Sequence, residues 1–313
     1  MVFLEFFFCR YMVNFALIIC CVSLGVLISR LGLVKSDGYK PINVWLIYVA
    51  LPSLGLRFVP EIEWSLSTLL PCISPFVLWC GAFLFISFYS RFVRKLDKHT
   101  RTALLISSGI GNTAFLGFPM VSAFFGEENL SNAIVFDQMT FIMFSTLVVT
   151  VILRVSSSEK VGCKVVLKKL FLFPPFIAAF SALLVSSLYD YSFINPFLDK
   201  ILATLSPLAL FSIGLQLRFD TIRSEIKNLS LGLGYKLFIG PLIILFIVLL
   251  VGERSMLGSI TVFQSSMPAH ITSSLLASQY GIRSDLCNMF VGLGIIASLF
   301  TSVLWYFILQ YFF

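Results

Sequence analysis

Apolar residues recur along the whole chain in stretches of roughly twenty, separated by short polar segments. Ten such stretches can be marked, at residues 11–33, 40–60, 68–92, 102–125, 129–153, 171–189, 196–217, 229–251, 256–279 and 286–312. About twenty helical residues cross the ~30 Å hydrocarbon core of a bilayer. The pattern therefore predicts an all-α polytopic membrane protein with ten transmembrane helices. Spans two, four, seven and nine contain Pro52, Pro119, Pro207 and Pro268. The fourth is the most irregular, because GNTAFLGFPM at 111–120 puts an asparagine, two glycines and a proline inside an apolar run. A helix opened there frees N–H and C=O groups that hydrocarbon cannot satisfy, at several kcal/mol each. Such a break survives only inside protein or beside water. The ninth span holds a counterpart in SSMPAHITSS, residues 265–274.

Composition agrees with the membrane reading. Of the 313 residues, 58% are hydrophobic and 12% charged, and the mean hydropathy of +0.98 exceeds what a soluble core of this size can bury. The first apolar stretch reads as a retained span, since no A-x-A-like cleavage site precedes a soluble domain. The seven cysteines lie in or beside apolar runs, apart from Cys163 in a basic loop, and lack C-x-x-C spacing. They read as small hydrophobes rather than as a disulfide framework or metal ligands. No G-x-x-x-x-G-K-[ST] loop appears, so neither ATP hydrolysis nor any cofactor is expected.

The net charge of +7 does not point to nucleic acid, because the basic residues sit in short clusters between spans. Seventeen of the 22 Lys and Arg residues fall on one side of the predicted topology. Arg10, Arg57, Lys200 and Arg254 fall on the other, and Lys236 lies inside a span. Basic flanks are retained in the cytoplasm. Both termini are therefore expected outside, in the periplasm or extracellular space, with the basic loops cytoplasmic.

Residues 1–154 and 171–313 each hold five spans on either side of a basic hinge at 155–170, so the two halves enter the membrane in opposite directions. They also resemble each other. YVALPSLGLRF in span two and LSPLALFSIGLQLRF in span seven both place a proline before a glycine and end in Leu-Arg-Phe. A shift of 155 sets Gly126 on Gly281 and Pro119 opposite Ser274. The expected organisation is a 5+5 inverted repeat, with broken helices four and nine aiming their ends at a substrate near the midplane.

LPSLGLRF of span two, GNTAFLGFPMVSAFFG of span four, SPLALFSIGLQL of span seven and MPAHITSSLLASQYG leading into span ten resemble the auxin efflux carrier family, which includes plant carriers and bacterial malate-permease-like proteins. The resemblance covers nearly the whole chain. It implies a ten-helix inverted repeat whose fourth and ninth helices cross at an unwound point between scaffold and transport bundles, each bundle drawn from both repeats. It also implies a dimer through the scaffold, and mono- or dicarboxylates or indole-acetate-like acids as substrates. Plant members carry a second proline where this chain has Ser273, and their long cytoplasmic loop is absent here.

Asn112 matches the family's crossover asparagine, and its amide can donate to a substrate carboxylate or cap a freed carbonyl. Gly111, Gly117 and Pro119 are expected to shape the first break, with exposed amides open to an anion. Asp137 lies a third of the way through span five, where an ionisable group either couples transport to protons or reaches the outer interface beside Glu127 and Glu128. Gln138 is adjacent but points about 100° away on a helix. Lys236 in span eight either snorkels to the cytoplasm, the favoured reading, or faces the site as a counter-charge. Near Pro268, His270 either carries a proton or ligand, or bridges helices. Ser265, Ser266, Thr272, Ser273 and Ser274 either satisfy broken backbone or line a polar path.

Together these residues describe a secondary carrier for a small organic anion, driven by a proton gradient or the membrane potential. A passive channel is the competing class, and a sodium-coupled symporter is a further alternative. An intramembrane enzyme lacks a nucleophile–base pair, since His99 is in a loop and His270 is alone.

Overall fold

The computed structural model describes residues 16–17, 19–35, 37–62, 64–156, 172, 174–186, 188–216, 222–271, 273, 277 and 280–313. Among these the secondary structure is helical, with no strand and one isolated bridge. The helices are α1 (Ile19–Arg30), α2 (Tyr39–Glu61), α3 (Leu66–Phe92), α4 (Lys98–Gly109), α5 (Thr113–Phe125), α6 (Glu127–Ile152), α7 (Pro174–Ser186), α8 (Ser192–Gln216), α9 (Glu225–Val251), α10 (Met256–Ser265) and α11 (Asp285–Phe312). Six of them, α2, α3, α6, α8, α9 and α11, are long and apolar enough to cross a bilayer. α1, α5 and α7 are shorter apolar helices. Most of the hinge at 155–170, including Cys163, lies outside the described residues, as do Thr272 and Ser274.

Proline shapes several of these helices without ending them. A proline inside a helix has no N–H to donate, and its ring collides with the carbonyl four residues back. π-turns relieve the collision at Leu46–Ala50, Thr113–Gly117 and Tyr235–Ile239, each ending two residues before a proline: Pro52, Pro119 and Pro241. Trp305 then caps a carbonyl in the third of these turns, its Nε1–H donating to Leu237 O at 2.8 Å. Asp97 caps α4 by accepting from the Thr100 amide at 3.0 Å, and the Thr100 hydroxyl and amide hold its carboxyl below the usual carboxylate range.

The chain forms two compact units. The first comprises Met1–Ile62, Ala114–Ile134 and Phe171–Leu217. Polar contacts stitch it together: Trp45 Nε1 donates to Thr204 Oγ1 at 2.9 Å, Tyr191 Oη to Leu56 O at 3.0 Å, and Arg57 pairs with both Asp199 and Glu61. The second unit comprises Glu63–Thr113, Val135–Leu170 and Arg218–Phe313. Its core contains Trp305, Tyr235, Phe263 and Phe290, all fully buried, while Leu84, Phe88, Phe300 and Phe307 on α3 and α11 are exposed. At one end of this unit the Arg283 guanidinium donates to Asp285, Glu225 and Thr100. The bonds to Asp285 lead in raising its proton affinity, so it stays charged. Gly126 and Gly281, the pair related by the shift of 155, both have positive φ, +94° and +67°.

Candidate functional site

Two interrupted helices meet in the second unit. α4 ends at Gly109, and Ile110 is extended, with φ −122° and ψ 132°. Gly111 then forms an antiparallel bridge with Ala269, and the Asn112 amide donates to Pro268 O at 2.8 Å. The second interruption unwinds after α10, where Ser266 and Met267 turn back on Phe263 O and Gln264 O, and helical geometry returns at Ile271. Pro268 has no N–H to satisfy, yet its carbonyl is the acceptor that the first break requires. The two gaps thus share backbone partners that a hydrocarbon environment would deny them.

Gly117 and Pro119 do not sit in the break, a correction to the sequence expectation. The chain opens at 110–112, whereas Gly117 has ordinary helical angles, φ −61° and ψ −48°, and caps the helical segment holding Pro119. The π-turn at Thr113–Gly117 absorbs that proline, so the helix continues through it.

Lys236 does not snorkel. It is buried in the π-turn of α9, and its Nζ donates to Ser265 O at 3.1 Å, the carbonyl at the end of α10. A Cβ on Gly111 would lie 3.0 Å from the same Nζ. The ammonium therefore stands against both interruptions, and a side chain at 111 would have to push it aside. Burying a cation is costly unless partners surround it, and a carbonyl freed by a helix break is such a partner.

Asp137 is buried too, at 9% exposure, and does not reach an outer interface. Its Oδ1 accepts from Thr113 Oγ1 at 2.6 Å and its Oδ2 from Gln138 Nε2 at 3.3 Å. Gln138 is thus not turned away, because its long side chain folds back to its neighbour. His270 packs on Phe144 with ring centroids 5.1 Å apart, and its Nδ1 lies 3.5 Å from Ser273 Oγ. Ser265 and Ser266 take the backbone role, their hydroxyls donating to Val262 O and Phe263 O at 2.6 and 2.7 Å.

Sequence reasoning missed Thr113 and Gln264. Thr113 follows Asn112 directly, and Gln264 is a fully buried amide four residues before Pro268, with Nε2 3.5 Å from Thr113 O. A glutamine in an apolar run beside a predicted break is the signal that could have found the second.

The first unit contains a cavity of about 510 Å³ whose lining includes Arg57, Glu61, Ser122, Glu127, Glu128 and Asp199. Its guanidinium is already balanced by Glu61 and Asp199, so its charge suits an anion less well than the Lys236 site does.

An all-helical chain with several bilayer-length helices and a charged, backbone-opened centre belongs to the class of multi-pass membrane transporters. The comparisons make this specific. The chain belongs to the family described as membrane transport protein, whose model matches residues 11–306. An uncharacterized transporter of Methanothermobacter thermautotrophicus is 28% identical over 287 residues, covering 91% of this chain and 93% of that protein. An uncharacterized transporter of Methanocaldococcus jannaschii is 26% identical over 302 residues, covering 94% and 97%. A probable auxin efflux carrier component 9 of Oryza sativa subsp. japonica is 33% identical over 106 residues, 33% of this chain and 24% of that protein. The resemblance to auxin efflux carriers holds.

Proposed function

We propose that the protein is a secondary carrier for a small organic anion, a mono- or dicarboxylate or an auxin-like acid. The observation that carries this reading is the buried Lys236 ammonium, bonded to Ser265 O beside the paired breaks at Gly111 and Ala269. A carboxylate entering there exchanges its hydration for the ammonium, the Asn112 amide group and loosened backbone dipoles. Asp137, an ionisable group of opposite sign in the same unit, is the coupling group, charging and discharging with the proton gradient. His270 and Ser273 lie at the edge of the site.

On this reading the spans form the 5+5 inverted repeat, 1–154 against 171–313, with α4–α5 and α10 with its continuation as crossover helices. The termini lie outside, the basic loops lie in the cytoplasm, and the carrier forms a homodimer. Alternating access moves one bundle against the other around the crossing, and no nucleotide is consumed.

Counterflow in proteoliposomes tests the reading. Vesicles preloaded with unlabelled malate or indole-acetate should accelerate uptake of the same labelled acid, with saturation. Flux that rises linearly with concentration and ignores preloading would instead make the protein a passive anion channel.

A further inference from the structure

Thr113 is the first residue beyond the paired crossing, and its two polar groups point to different helices. Its hydroxyl donates to Asp137 on α6, and its carbonyl faces the Gln264 amide on α10. All three side chains are buried, with Thr113 at 1% and Gln264 at 0% exposure. The amide oxygens of Gln138 and Gln264 are buried and accept no hydrogen bond among the described residues. The bonds reaching the Asp137 carboxyl come from Thr113 and Gln138. The other ionisable side chains at the crossing are engaged elsewhere, Lys236 on Ser265 and His270 against Phe144 and Ser273.

An ionised carboxylate only accepts hydrogen bonds, whereas a protonated one also donates. The Thr113 hydroxyl donates to the carboxylate in a charge-assisted bond, which weakens to a neutral one, or reverses if the proton sits on Oδ1, once Asp137 takes a proton from the aqueous phase. That change falls on a residue whose backbone continues directly into the Asn112–Pro268 pairing.

We propose that Thr113 is a positioning residue that ties the charge state of Asp137 to the backbone of both interrupted helices. The proposal rests on the reading of Asp137 as the coupling group. The same hydroxyl that steadies the carboxylate reports its loss of charge to α5, and through the Thr113 carbonyl to α10.

The test uses the full chain in lipid nanodiscs and needs no substrate. In an infrared pH titration, the protonated-carboxyl band that is lost in Asp137→Asn belongs to Asp137. Removing the hydroxyl in Thr113→Val withdraws a donor from the carboxylate form, so the band should appear about one pH unit higher, a roughly tenfold tighter hold on the proton. Thr113→Ser keeps the hydroxyl and should titrate like the unsubstituted protein. Hydrogen exchange in the peptide containing Asn112 should change across the titration in the unsubstituted protein and in Thr113→Ser, and stay flat in Thr113→Val. An unshifted band in Thr113→Val, or exchange at Asn112 that ignores the titration, overturns the proposal. If no band can be assigned to Asp137 between about pH 4 and pH 9, the range open to buried carboxyls, the proposal fails together with the coupling role of Asp137. Failure of counterflow with the infrared shift intact would remove the carrier reading and leave the Thr113 relay standing.

Discussion

The two interruptions reach the same end by different chemistry. At the first, the chain opens at Ile110–Asn112 with no proline in the gap, and a glycine lets the opposing limb and the Lys236 ammonium come close. At the second, Pro268 lies inside the gap and supplies a carbonyl rather than a space. What a break requires is a partner for every exposed backbone group. A proline is one way to start a break, and a close-packed glycine bridged to the residue after that proline is another.

Four substitutions would test this contrast. The largest effect is expected from Gly111→Leu, which drives a side chain into Lys236 Nζ and towards Met267 O, 3.5 Å from where its Cβ would lie. Overpacking of this kind costs about 2–3 kcal/mol, read as a lower unfolding temperature in detergent. An unchanged unfolding temperature would mean that the crossing has slack. Lys236→Met comes next and separates stability from function. Replacing the buried charge by an apolar chain of similar length relieves its desolvation but leaves Ser265 O without its donor at about 1–3 kcal/mol. The net loss of stability should therefore stay below about 2 kcal/mol while carboxylate counterflow falls at least tenfold. Lost stability with unaltered flux would reassign Lys236 to a structural role. The smallest effects belong to the prolines. Pro268→Ala should cost about 0.5–1 kcal/mol, because the unfolded chain gains freedom while the carbonyl acceptor remains. Pro119→Ala should cost less, since the π-turn at Thr113–Gly117 can tighten into regular helix. The reverse ranking would return Pro119 to the centre of the break.

Much of this was legible in the sequence, and the reasons differ by residue. Glycine and proline in apolar runs announced that spans four and nine open, because few other residues are placed there at such a cost. The ionisable residues Asp137, Lys236 and His270 stood out for the same reason. The direction of Lys236 was not legible, since a lysine nine residues beyond Lys227 has a stem long enough to go either way. Only the fold supplies Ser265 O as its partner. Thr113 and Gln264 look ordinary in sequence, and their meaning lies in contacts across 24 and 151 positions of chain. Pro119 misled because a helix can pass a proline by inserting one residue upstream.

That inserted residue has an effect on helix phase. One extra position in an α-helix is about 100° of rotation, so the stretch after a π-turn presents a different set of side chains from the one the preceding stripe would forecast. In α9 the bulge spans Tyr235–Ile239 and contains Lys236 itself. Deleting a single residue there would keep the helix apolar and nearly as long while swinging everything on one side of the deletion around the barrel of the helix. The aim of the ammonium is thus set by a surplus residue, and the hydropathy profile of the span is blind to it.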